Sequence, residues 1–121
     1  VKLVYNLEIM QPLKINPVVL CSIFSNLMRN SLAAVEDVED KSKAVIEIKA
    51  AVKGDYLIVK VDNTFSAKKK KDKNRKGYGL DILRTMVEKY HGQMDVVIEN
   101  DKYSTRISVE NIELIERGSS L

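Results

Sequence analysis

The chain has 121 residues, 45% of them hydrophobic and 31% charged, with a formal net charge of +3. This is the size and mixture of one soluble domain with a single core. No apolar run approaches the roughly 20 residues of a membrane helix, and no signal-peptide pattern stands at Val1.

The modest excess of positive charge sits mostly in one lysine-rich run, and a single cysteine, Cys21, rules out an internal disulfide. Together these favour a reduced, cytoplasmic setting. The sequence opens mid-pattern without a methionine, as expected of a piece excised from a longer protein.

From the N-terminus, Val1 to Met10 alternates as a half-buried strand does, with Leu3, Tyr5, Leu7 and Ile9 on one side. Asn16-Pro17 starts a helix, Asn16 as its cap and Pro17 at the first helical position, where a missing donor costs nothing. The helix is expected to run to about Val38, where the charged stretch EDVEDKSK ends it. Val45 to Val52 and Tyr56 to Asp62 read as a hairpin around Lys53-Gly54-Asp55.

Asn63 to Lys76 is polar and lysine-rich and reads as a loop. Gly77 to His91 returns to helical period, with Leu80, Leu83, Met86 or Val87, and Tyr90 on one face, and Gly92 as its stop. Gln93 to Glu99 and Tyr103 to Asn111 form a second hairpin around Asn100-Asp101-Lys102. The domain is expected to span residues 1–112, with 113–121 a tail. The element order predicts an α+β fold, a two-layer sandwich with a mostly antiparallel sheet covered on one face by helices.

Four stretches carry candidate chemistry. In SNLMRNSLAAVE, Asn26 and Asn30 lie one turn apart on the same helix face, beside the apolar stripe. Asparagine is a mediocre helix former, so such a pair serves either hydrogen bonding at the helix surface or coordination of a hard cation such as Mg²⁺. In LIVKVDN, Asp62 ends an apolar strand; it either opens a turn or accepts a hydrogen bond from an exocyclic amine.

Lys76-Gly77-Tyr78-Gly79-Leu80 leads into the second helix. Its glycines make either a plain turn or a close approach to phosphates at a helix N-terminus. The run Lys68 to Lys71, with Lys73, Arg75 and Lys76, is either a solvated loop or a cover for polyphosphate charge. No aromatic side chains interleave these lysines, which argues against a nucleic-acid platform.

The order of these pieces resembles the GHKL ATPase superfamily, and within it the ATP-binding catalytic domain of sensor histidine kinases. SNLMRNSLAAVE is similar to that family's N box, VDNTFS to its first glycine box and KGYGLDILRTMVEKYHG to its second. PLKINPVVLCSIFSNLMRNSLAAVE followed by a short lid most resembles the quorum-sensing kinases of the accessory-gene-regulator type.

The resemblance implies the Bergerat-type α/β sandwich, with a mixed sheet, and the binding of ATP with Mg²⁺. It implies Asn30 at the metal, Asn26 beside it, and Asp62 at the adenine amine. Gly77, Tyr78, Gly79 and Leu80 would shape the lid hinge and phosphate site. Thr105 or Ser104 would support the adenine, and Lys73, Arg75 and Lys76 would be lid cations. Implied partners are a histidine-bearing dimerisation domain of the same protein and a response regulator, within a membrane-bound parent.

The sequence departs from the family pattern at Thr64 and Ser66, where DxGxG has glycines, and this gives Asn63 added weight. Arg29 stands where an acidic residue is frequent. The lone histidine, His91, reads as a cap or surface residue, and no general base is evident in the chain. An anti-sigma-factor-type serine kinase and a degenerate, non-catalytic binding module are the competing readings.

Overall fold

In the computed structural model, which describes residues 1–66 and 80–114, the elements follow the predicted order. They are β1 (Lys2–Glu8), α1 (Pro17–Glu36), β2 (Val45–Lys53), β3 (Tyr56–Thr64), α2 (Leu80–Lys89), β4 (Gln93–Glu99) and β5 (Lys102–Glu110). Much of the lysine-rich stretch and the glycine turn, including Lys73, Arg75, Lys76, Gly77, Tyr78 and Gly79, lies outside the described residues, as does the end of the tail.

The strands form one five-stranded sheet in the order β1-β2-β3-β5-β4. β1 and β2 are parallel and the remaining neighbours antiparallel. A parallel pair needs a crossover, and α1 supplies it by packing over β3. α2 packs beside α1 and over β4 and β5, so the helices share one face of a mixed sheet. This is the expected two-layer α+β architecture.

α1 begins as its sequence dictates, with the Asn16 carboxamide accepting from Val18 N at 2.8 Å and Pro17 in the first turn. Ile23, Leu27 and Val35 recur at helical spacing and are buried. At the other end, the Lys41 ammonium donates to the Val35 and Glu36 carbonyls, two of the acceptors that a helix C-terminus leaves open. By length and composition this 20-residue helix could also cross a membrane. Here its buried stripe instead joins Leu57, Val59, Val61, Leu83, Val87, Ile107 and Val109 in the core. Burying each such side chain contributes roughly 1.5–3 kcal/mol.

Two local expectations change. Leu3, Tyr5 and Leu7 share a face with Ile46, Ile48 and Ala50 of β2, yet each is more than half exposed. β1 is an edge strand, and the helices pack chiefly over β3, β4 and β5.

α2 closes in a Schellman arrangement, with His91 N donating to Glu88 O and Gly92 N to Val87 O. The left-handed position is taken by His91, at φ 57°, one residue before the expected glycine. Gly92 is needed for another reason: a Cβ there would lie 1.7 Å from the Ser108 carbonyl oxygen.

Candidate functional site

β3 runs two residues past its predicted end, to Thr64, and this decides which side chains meet. Successive strand residues face opposite sides of a sheet. Val59, Val61 and Asn63 therefore point to the helix layer, while Lys60, Asp62 and Thr64 point away from it. Asn63 is 2% exposed, continuing the buried row of Leu57, Val59 and Val61. Its Nδ2 donates to the Thr64 carbonyl at 3.1 Å, and its Oδ1 is buried without a hydrogen-bond partner among the described residues.

On β5 the same alternation aligns Tyr103 with Asn63 and Thr105 with Val61. The Tyr103 hydroxyl hydrogen-bonds the side chains of Thr105 and of Asn30 on α1. Burial pushes the phenol above its ordinary value, and these two hydrogen bonds pull the other way. Phe65 sets its ring edge-on to Tyr103, with centroids 6.0 Å apart. Asn30, Asn63, Tyr103 and Thr105 thus converge on one side of the sheet, at the end where β3 leaves for the segment before α2.

Asn26 lies one turn before Asn30 on α1. It is buried, and its Nδ2 donates back to the Ser22 carbonyl at 2.7 Å, so the helix itself occupies that donor. Leu80, at the start of α2, is partly buried against the core.

Asp62 is not brought to this cluster. Its carboxylate is itself buried on the opposite sheet face, with Oδ2 3.7 Å from both the Lys60 and Lys102 ammonium groups and Oδ1 without a hydrogen-bond partner among the described residues. Ser104 pairs with Asp62 across the ladder and shares that open face, which separates it from Thr105. Thr64, where the glycine box has a glycine, accepts from Val45 N at 3.1 Å and ties the end of β3 to the start of β2.

The sequence reading missed Tyr103. The signal for it was present: Tyr103, Thr105, Ile107 and Val109 form one row at a spacing of two, with the aromatic residue at the mouth of an otherwise buried face.

Chemically, the cluster offers a dry carboxamide acceptor lacking a donor, a hydroxyl and a phenol beside it, and a second carboxamide on α1. Among the described residues no group of three or more His, Cys, Asp or Glu side chains gathers to hold a metal. A divalent cation at Asn30 would therefore take its remaining ligands from a bound anion and water. An acceptor of this kind suits an amino group on a planar ligand.

Residues 15–110 match the family model described as the GHKL domain. No curated protein matched the chain. Among solved structures, the catalytic domain of the histidine kinase ThkA superposes with a TM-score of 0.67 at 14% identity, over 91% of this chain and 80% of that one. The Acinetobacter baumannii histidine kinase AdeS gives 0.64 at 16% identity, over 91% and 55%. The histidine kinase domain of a blue-light activated histidine kinase from Erythrobacter litoralis gives 0.65 at 17%, over 90% and 52%. The chain thus spans about half the length of the last two, and at these identities the likeness is one of fold.

Proposed function

Because the chain belongs to the GHKL domain family, we propose that it binds ATP as the catalytic domain of a sensor histidine kinase. The observation that carries this reading is the convergence of the buried, unpaired Asn63 Oδ1 with Asn30, Tyr103 and Thr105 on the helix side of the sheet, a setting that the equally unpaired Asp62 Oδ1 does not share. In this assignment Asn63, rather than Asp62, accepts from the adenine amine, with Thr105 supporting the base. Asn30 would hold Mg²⁺, which when bound supplies charge neutralisation to the phosphates. Gly77, Tyr78, Gly79 and Leu80 would flank the phosphates, with Lys73, Arg75 and Lys76 as lid cations.

The site contributes positioning and electrostatics, and none of its described residues is placed as a general base. The γ-phosphate would pass to a histidine on a separate dimerisation domain of the same protein, and from there to a response regulator. The motif order and the short segment between β3 and α2 support a quorum-sensing kinase of the accessory-gene-regulator type, cytoplasmic but tethered to a membrane in the parent protein.

Calorimetric titration with a non-hydrolysable ATP analogue, with and without Mg²⁺, tests the reading. Wild type should bind in a Mg²⁺-dependent way, and Asn30→Ala should lose that dependence while remaining folded. Asn63→Ala should weaken binding by about tenfold or more, the cost of one buried hydrogen bond. A folded wild type that binds no nucleotide at millimolar concentration would leave a non-catalytic partner-binding module. Binding indifferent to Asn63→Ala would remove Asn63 from the base site.

A further inference from the structure

We propose that the free edge of β1 pairs with β1 of a second copy of this chain, antiparallel about a two-fold axis at Tyr5. The backbone sets the terms. Lys2 N donates to the Ala44 carbonyl at 2.9 Å, so the even-numbered residues of β1 turn their polar groups toward β2. The N–H and C=O groups of Leu3, Tyr5 and Leu7 consequently face outward from the edge of the sheet.

Exposed edges are commonly blunted by proline, bulges or central charges. β1 has neither proline nor a central charge; its charges, Lys2 and Glu8, stand at its two ends. Its apolar side chains are left open, with Leu3 at 52%, Tyr5 at 69% and Leu7 at 55% exposure.

The strand is complementary to itself in one register. With the axis at Tyr5, Leu3 faces Leu7 of the second copy and Tyr5 faces Tyr5. Each of these is a pair whose outward groups bond one another, so the free edge is satisfied along its length. On the other sheet face Lys2 then meets Glu8 of the second copy, and Val4 meets Asn6. Within one chain Lys2 and Glu8 are roughly 20 Å apart and cannot pair. Shifting the register by two residues keeps the bonding pattern but parts Lys2 from Glu8 and leaves one leucine beyond the overlap.

The opposite edge, β4, exposes Val97 and Ile98 but carries Asp95 and Glu99 with no basic residue, so two copies would gather like charges there. An axis normal to the sheet leaves both helix layers on the same side. It also leaves the Asn63 cluster, on β3 and β5, away from the junction.

Sedimentation velocity on the chain at low ionic strength, from micromolar to millimolar concentration, provides the test. Wild type should pass from the 13.7 kDa monomer to a species of twice that mass. Tyr5→Pro deletes a donor that the β1–β2 ladder does not use, and should weaken association by about tenfold or more. Lys2→Glu and Glu8→Lys should each weaken it several-fold, and the double exchange should return it to within about twofold of wild type. Val97→Lys, on the other edge, should change nothing. A monomer at every concentration overturns the proposal. So does a dimer indifferent to Tyr5→Pro, a double exchange without recovery, or a dimer dissolved by Val97→Lys.

Discussion

Asp62 and Asn63 are adjacent in the chain and face opposite sides of the sheet. Both are buried, one a carboxylate beside two lysines on the face away from the helices, the other a carboxamide on the helix side of the sheet. Their substitutions should therefore separate. Asp62→Asn removes ion pairs to lysines about half exposed, a loss of about 1 kcal/mol or less per pair. It should leave the preference for ATP over GTP unchanged. Asn63→Ala should erode that preference and, because it also removes the buried Nδ2 bond to the Thr64 carbonyl, lower stability by about 1–2 kcal/mol without unfolding the protein. Competition titrations with both nucleotides and a thermal melt of each variant decide the matter.

Tyr103→Phe should cost about 1–2 kcal/mol, since it strips a hydroxyl shared by Asn30 and Thr105. It should also change the alkaline limb of stability. Burial raises the folded-state phenol above the ordinary value of 10.0, so the folded protein holds this proton more tightly than the unfolded chain. The stabilisation is then complete below that value and is lost as pH rises through the folded-state pKa. Denaturant midpoints measured from neutral pH to above pH 10 should fall more steeply for wild type than for Tyr103→Phe.

The helices and hairpins were legible because local chemistry and burial agree in them. Asn16-Pro17 caps α1, alternation marks β2, β3 and β5, and two-residue turns carry Gly54 and Asn100 at positive φ. The site was legible only as a neighbourhood. A boundary drawn at Asp62 instead of Thr64 gave no reason to separate the faces of Asp62 and Asn63, although strand alternation separates them completely. Tyr103 joins Asn30 through a contact between distant segments that no local pattern encodes. The exposure of β1 was equally hidden, because alternation reports which residues share a face and says nothing of whether a helix covers it.

Lys41 lies outside α1 in sequence but completes it in space. Its ammonium reaches the Val35 and Glu36 carbonyls, where charge also complements the negative end of the helix dipole. Lys41→Met keeps the aliphatic stem and removes the donor, and should cost about 1 kcal/mol. Urea unfolding should show a lowered midpoint with an unchanged slope.

The turn between α2 and β4 makes the sharpest contrast between neighbouring positions. Gly92 has no room for a side chain, since a Cβ would fall 1.7 Å from the backbone oxygen of Ser108, and neither backbone yields as a side-chain tip does. Gly92→Ala should therefore destabilise by about 2 kcal/mol or more, through displacement of β5 or of the turn. His91 presents the opposite case. It occupies the left-handed region at φ 57°, a conformation costing an L-residue roughly 1–2 kcal/mol. Its largely exposed ring returns little through the 2.8 Å contact with Glu110. His91→Gly should thus be neutral or stabilising by up to about 1 kcal/mol. Equilibrium unfolding of the two variants beside wild type should place them on opposite sides of it, and a Gly92→Ala protein as stable as wild type would show that β5 can move away without loss.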